Sequence, residues 1–181
     1  MIIVTGLRSG TSLMMQTLKL LGVSIVGYKF HDDFSCVELN PKGYYDLPIN
    51  ETINGLNTFI YKGMAVKLYG YQLSITKPKY VDKIIICERN KKDVIPSLQR
   101  LMKADYKISN IKSTASNAEL AYNTNKHLID GYSKAKNNIR IRYEDMAERP
   151  ELPLYKICNF LGIKRDITKA INNIEKRVVW Q

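Results

Sequence analysis

Ile2-Ile3-Val4-Thr5-Gly6-Leu7-Arg8-Ser9-Gly10-Thr11-Ser12, at the head of the chain, reads as a strand, a glycine-bearing turn and the first residues of a helix. Ile2 to Val4 is a short apolar run that stops at Thr5-Gly6. Beyond Ser12, the residues Leu13, Met14, Thr17, Leu18 and Leu21 recur with helical period and share one face, closing at Gly22. Between a strand and a helix, backbone N–H groups and the helix dipole converge on an anion. Gly6 and Gly10 let the backbone approach such a group, Arg8 supplies a fork of donors, and Thr11 and Ser12 add hydroxyls. The plainer alternative is a tight connecting turn whose hydroxyls cap the helix.

Outward from this unit the same alternation continues. Val23 to Val26 reads as a second strand, Ala65 to Tyr69 as a third and Ile84 to Cys87 as a fourth, the last apolar throughout and so expected to be covered on both faces. Helical spacing returns at Val94, Leu98, Leu101 and Met102, and over Ser116 to Lys136. Ile139 to Tyr143 alternates like a strand that ends at Tyr143, and Pro150 opens a last helix closed by Gly162. Gly27 to Asn57 carries no sustained period apart from a short helix expected around Leu47 to Leu56. Strands alternating with helices imply an α/β fold, three layers deep, around a mainly parallel sheet.

The 181 residues and 20.8 kDa fit one domain over 1–181. A hydrophobic share of 45% with 25% charged residues excludes a disordered or fibrous chain. The start of the chain lacks the basic region of a signal peptide and no apolar run is long enough to span a bilayer, so a cytoplasmic location is expected. Cys36, Cys87 and Cys158 are too scattered for a disulfide framework or a metal cluster, and no metal is expected. The net charge of +11 points to an anionic ligand or partner without choosing among phosphate esters, nucleic acids and lipids.

The loop itself narrows the choice. It is not a Walker A sequence, because Thr11 stands where the lysine is required, and it lacks the glycines of a dinucleotide fingerprint. Gly6-Leu7-Arg8-Ser9-Gly10-Thr11-Ser12 instead resembles the 5'-phosphosulfate-binding loop of sulfotransferases that use 3'-phosphoadenosine 5'-phosphosulfate, in a bacterial or phage version with Arg in place of Lys. Arg89, Asp93, Val94, Ser97 and Arg100 resemble that family's 3'-phosphate segment. Arg142-Tyr143-Glu144-Asp145, with Pro150 and Phe160-Leu161-Gly162-Ile163, resembles its third landmark.

The resemblance implies a P-loop-like sulfotransferase fold whose donor is held by Gly6, Leu7, Arg8, Ser9, Gly10, Thr11 and Ser12 and by Arg89 and Ser97; Tyr143, at the end of the fifth strand, reads either as a further phosphate contact through its hydroxyl or as a tyrosine packed at the domain edge. The resemblance also implies release of adenosine 3',5'-bisphosphate after transfer to a hydroxyl of a small molecule or carbohydrate. Arg8 and Lys67 are the expected electrostatic catalysts, although Lys67 also reads as the polar side of a partly exposed strand. For the base the readings stay open among His31, whose ordinary pKa suits the task, Asp46 in the Gly43-Tyr44-Tyr45-Asp46 segment, the Asp32/Asp33 pair, Glu38, Glu51 and a substrate-assisted route. The family's C-terminal glycine-rich basic loop is missing, with Lys176 and Arg177 as possible substitutes, and a second subunit is one way to complete the acceptor site. The competing readings are a nucleotide or metabolite kinase, which needs a lysine or a magnesium-binding acid at the loop, and a nucleotide- or RNA-binding module using the 12 tyrosines. Nucleic acid is not the expected partner.

Overall fold

A computed structural model describes residues 1–29, 43–47, 59–109, 114–134 and 136–174, with the backbone alone over 104–109. Five strands, β1 (Ile2–Thr5), β2 (Ile25–Val26), β3 (Ala65–Leu68), β4 (Lys83–Glu88) and β5 (Asn138–Arg142), pair in the order β2-β3-β1-β4-β5. Every pair is parallel. The chain lays β2 at the edge and then β3 between it and β1, and next crosses β1 to add β4 and β5, so the strand order switches beside β1. Ligand crevices of open parallel sheets form at such a switch, beyond the carboxyl ends of the strands.

Side chains alternate between the two faces of the sheet, and each face has its own apolar cluster. Val4, Ala65, Ile85, Cys87 and Ile141 meet α1 (Thr11–Leu20), α5 (Tyr143–Glu148), α6 (Glu151–Leu161) and α7 (Thr168–Asn173). Ile3, Val66, Leu68, Ile84 and Ile86 meet Leu73 of α2 (Gly70–Ile75) and Ile129 of α4 (Ala115–Ser133). The three-layer α/β architecture with a parallel central sheet is therefore present, and β4 is covered on both faces because its apolar residues point both ways. Helix α3 (Lys91–Ser109) packs against α4.

Two expected boundaries move. Tyr143 is the first residue of α5 and not the end of β5, since Arg142 turns the chain and Met146 is drawn into the core. The second strand is only Ile25–Val26. Short helices at Gly70–Ile75, Tyr143–Glu148 and Thr168–Asn173 escape sequence reading because six residues carry under two turns of period. The helix expected around Leu47 to Leu56 falls, apart from Leu47, outside the described residues. No helix among those residues is long and apolar enough to cross a membrane.

The covered sheet also sets a pH dependence. Burial pushes the Cys87 thiol from 9.0 up to about 12, with Lys67 opposing the shift. Between those values the unfolded chain has lost the proton and the folded chain keeps it, so stability falls as pH rises from 9. Urea midpoints should decline above pH 9, and Cys87→Ala should flatten part of the decline. Tyr132, also pushed up to about 12 by burial, retains a share of it. An identical slope in the variant would remove Cys87 from the account.

Candidate functional site

The loop between β1 and α1 folds through three successive demands on φ. Gly6 stands at 142°, Arg8 at 53° and Gly10 at 87°. Gly10 caps α1 in the left-handed region with no side-chain cap, and the first turn of α1 carries no acidic residue. The hydroxyls of the loop are thus not spent on capping. A Cβ at Gly10 would lie 2.6 Å from Tyr143 Cδ2, which shows how closely α5 presses on the loop. The Ser9 hydroxyl is buried and has no hydrogen-bond partner among the described residues. A free helix N-terminus behind a backbone in left-handed conformation is suited to hold an anion.

Three side chains converge on this loop from distant elements. Arg8 Nε donates to Ser97 Oγ at 3.0 Å, joining the loop to the second turn of α3. Arg89, just past β4, lays its guanidinium 4.6 Å from the centre of the Tyr143 ring. Arg89, Ser97 and Tyr143 therefore lie around the loop. Arg100 is exposed. Beside them a cleft of about 300 Å³ opens between the loop, the end of β4 and α4, lined in part by Leu7, Arg89, Tyr122, Lys126 and Arg140. Arg140 is bound to Glu88 at 2.5 Å and to Asp130 at 2.7 Å, so its charge is neutralised within the fold.

On the other side of β1, Lys67 enters from β3. It is buried, 3% exposed, and not the polar edge of an open strand. Its ammonium donates to the Tyr44 carbonyl at 2.8 Å and to Ser12 Oγ at 3.4 Å, and lies 2.9 Å from Asp46 Oδ1. The rings of Tyr44 and Tyr69 stand 5.7 and 5.6 Å from it. Burial pulls Lys67 below its ordinary value; Asp46 opposes that and Arg8 adds to it. A desolvated cation beside a partly exposed carboxylate puts a positive charge and a proton acceptor at the end of the loop between β1 and α1.

Asp46 is placed there by backbone pairing. Tyr28 N–H donates to the Asp46 carbonyl at 3.1 Å, and Tyr44 N–H to the Lys29 carbonyl at 2.8 Å, so residues 43–47 run antiparallel beside 28–29. Tyr45 takes a φ of 57° within this segment. His31, Asp32, Asp33, Glu38, Glu51, Lys176 and Arg177 lie outside the described residues. Tyr69 was missed by sequence reasoning. The signal for it was the alternation of Ala65 to Tyr69, which puts Lys67 and Tyr69 on one face.

A parallel sheet with a glycine loop and an uncapped helix N-terminus at its carboxyl edge defines an α/β protein suited to hold an anionic group there. The model of the sulfotransferase domain family matches residues 1–180, and the chain belongs to that family. Among solved structures it is similar to a mouse sulfotransferase, SULT7A1, complexed with PAP, at 18% identity and a TM-score of 0.62 over 97% of this chain and 63% of that one. It is similar to the sulfotransferase domain of the curacin biosynthetic pathway, at 15% identity and a TM-score of 0.58 over 91% of this chain and 74% of that one. Retinol dehydratase in complex with androsterone and the inactive cofactor PAP matches at 17% identity and a TM-score of 0.53, over 96% and 63%. The chain thus spans less than two thirds of the mouse enzyme and of retinol dehydratase. No curated protein matches it in sequence.

Proposed function

We propose that this protein transfers a sulfuryl group from 3'-phosphoadenosine 5'-phosphosulfate to a hydroxyl of a small molecule or carbohydrate, releasing adenosine 3',5'-bisphosphate. The observation that carries the reading is the convergence on one loop of Arg8, Ser97, Arg89 and the pair of buried Lys67 with Asp46. Family membership supports the reaction class, and PAP in two of the similar structures supports the donor.

In this reading the loop amides from Gly6 to Ser12 hold the 5'-phosphosulfate, with Leu7 and Ser9 as part of that wall and Thr11 and Ser12 adding hydroxyls. Arg89 and Ser97 take the ribose 3'-phosphate, and Tyr143 flanks the nucleotide. The acceptor oxygen attacks sulfur in line with the departing phosphate oxygen. One S–O bond forms as the other breaks, and the acceptor proton passes to Asp46. Arg8 and Lys67 neutralise the charge that grows on the phosphate oxygen, where preorganised cations in a water-poor site are most effective. Asp46 takes the role of base in this reading because its carboxylate lies 2.9 Å from the Lys67 ammonium at the end of the loop; the other candidate residues lie outside the described residues.

Calorimetry without magnesium tests the donor. Adenosine 3',5'-bisphosphate should bind more tightly than AMP or ATP by at least tenfold. Equal binding of all three would overturn the donor assignment, and tighter ATP binding that depends on magnesium would favour a kinase. An acceptor screen with the sulfate-bearing donor then tests transfer.

A further inference from the structure

The first two residues of α5 meet two consecutive residues just past β4. The Arg89 guanidinium lies 4.6 Å from the centre of the Tyr143 ring, and the Asn90 backbone N–H donates to Glu144 Oε1 at 2.9 Å. Asn90 is the residue from which α3 starts. Its carbonyl accepts from the Asp93 N–H at 2.9 Å and the Val94 N–H at 3.1 Å, the first hydrogen bonds of that helix. Glu144 therefore reaches from α5 to the point where Arg89 passes into α3.

Stability alone accounts poorly for this contact. Asn90 is exposed, so water is able to satisfy its N–H in place of the carboxylate. The other carboxylate oxygen, Glu144 Oε2, is buried and has no hydrogen-bond partner among the described residues, with Arg142 Nε 3.7 Å away. A buried oxygen without a donor costs free energy, whereas an exposed hydrogen bond returns little. What the contact does fix is the backbone directly after Arg89. With the guanidinium against Tyr143 and the next amide on Glu144, both the side chain and the backbone of this short stretch are tied to α5. An arginine held in this way loses little further freedom when it grips a phosphate.

We propose that Glu144 is a positioning residue for recognition of the ribose 3'-phosphate: through the Asn90 N–H it sets the direction in which Arg89 leaves β4. The inference rests on the reading of Arg89 as the 3'-phosphate contact. A carboxylate does not itself bind the anion, so the role requires reach and not charge: an accepting oxygen must arrive at Asn90.

Titration calorimetry of adenosine 3',5'-bisphosphate and of AMP into the full chain tests this with two conservative variants. Glu144→Asp keeps the charge and withdraws the carboxylate by one methylene. It should weaken binding of the bisphosphate about fivefold, the worth of one ordinary hydrogen bond, with AMP binding and the thermal midpoint unmoved. Glu144→Gln keeps an accepting oxygen at full reach and should bind both nucleotides as wild type does. In an Arg89→Ala background Glu144→Asp should have no further effect, since there is no guanidinium left to orient. Unaltered bisphosphate binding in Glu144→Asp overturns the role of Glu144. An equal loss in Glu144→Gln overturns it by making charge the cause, a parallel loss for AMP by making the effect general to the site, and a further loss in the Arg89→Ala background by making Glu144 independent of Arg89. A wild type that binds AMP as tightly as the bisphosphate overturns the donor reading itself, and a wild-type preference that survives in Arg89→Ala overturns the reading of Arg89.

Discussion

Arg89→Ala should weaken binding of adenosine 3',5'-bisphosphate by between roughly tenfold and a hundredfold, with AMP affected little. The range follows from the ~1.5–3 kcal/mol of a hydrogen bond to a charged group, at about 1.4 kcal/mol per decade. The proposed function puts the effect in one phosphate, the ribose 3'-phosphate. Arg89 follows β4 at the carboxyl edge of the sheet, and its guanidinium rests on the Tyr143 ring, which in turn presses on Gly10 of the loop. It is therefore oriented before any ligand arrives, so little ordering entropy opposes the contact. Glu88 and Asp130 neutralise Arg140 nearby, whereas Arg89 has no carboxylate partner among the described residues. Titration of both nucleotides into wild type and variant decides the matter. Parallel losses for AMP and the bisphosphate would move Arg89 away from the 3'-phosphate, and no loss for either would remove it from the site.

The second large effect is on stability. Gly6→Ala should lower the thermal midpoint by roughly 6–12 °C, reflecting a cost of about 3 kcal/mol at ~2–4 °C per kcal/mol for a chain of this size. Two causes add. A φ of 142° is a conformation that an L side chain rarely adopts, and an ideal Cβ there would lie 2.3 Å from Ser9 Oγ and 2.4 Å from the Cys87 carbonyl oxygen. The Ser9 hydroxyl is able to rotate away. The Cys87 carbonyl is backbone of β4, bonded into the middle of the sheet, and relief there means parting β1 from β4. Scanning calorimetry reads the shift, and a midpoint within 2 °C of wild type, a bound of about 1 kcal/mol, would show that the loop relaxes without disturbing the sheet. Gly63, also at positive φ, has nothing within 4 Å of its Cβ position, so Gly63→Ala isolates the conformational part from the clash.

Both effects trace back to features legible before any coordinates. Gly6 and Gly10 stand out because a strand must turn into a helix within five residues, and Arg89 because it follows an apolar run too continuous to be anything but a central strand. Those are local signals: a backbone repeat of two or 3.6 residues is written in neighbouring side chains, and so are the strands, the longer helices and the anion-ready loop. The motifs at 6–12, 89–97 and 142–145 likewise carry the family in the chain itself.

What lies across the sheet is written nowhere in particular. The order β2-β3-β1-β4-β5 seats β3 against β1, and only that pairing, Val4 opposite Lys67, carries the Lys67 ammonium to Ser12 and turns a charge that reads as an exposed strand residue into a buried one. The approach of Asp46 to Lys67 depends on pairing between 28–29 and 43–47, in a region with no period to read. Arg8 and Ser97, 89 residues apart, meet for the same reason. Sequence alone determined the α/β class, the family and the glycine loop between the first strand and helix, because each rests on short-range pattern. Tertiary structure decided which acid stands beside Lys67, because long-range strand pairing, and not local propensity, brings those groups into contact.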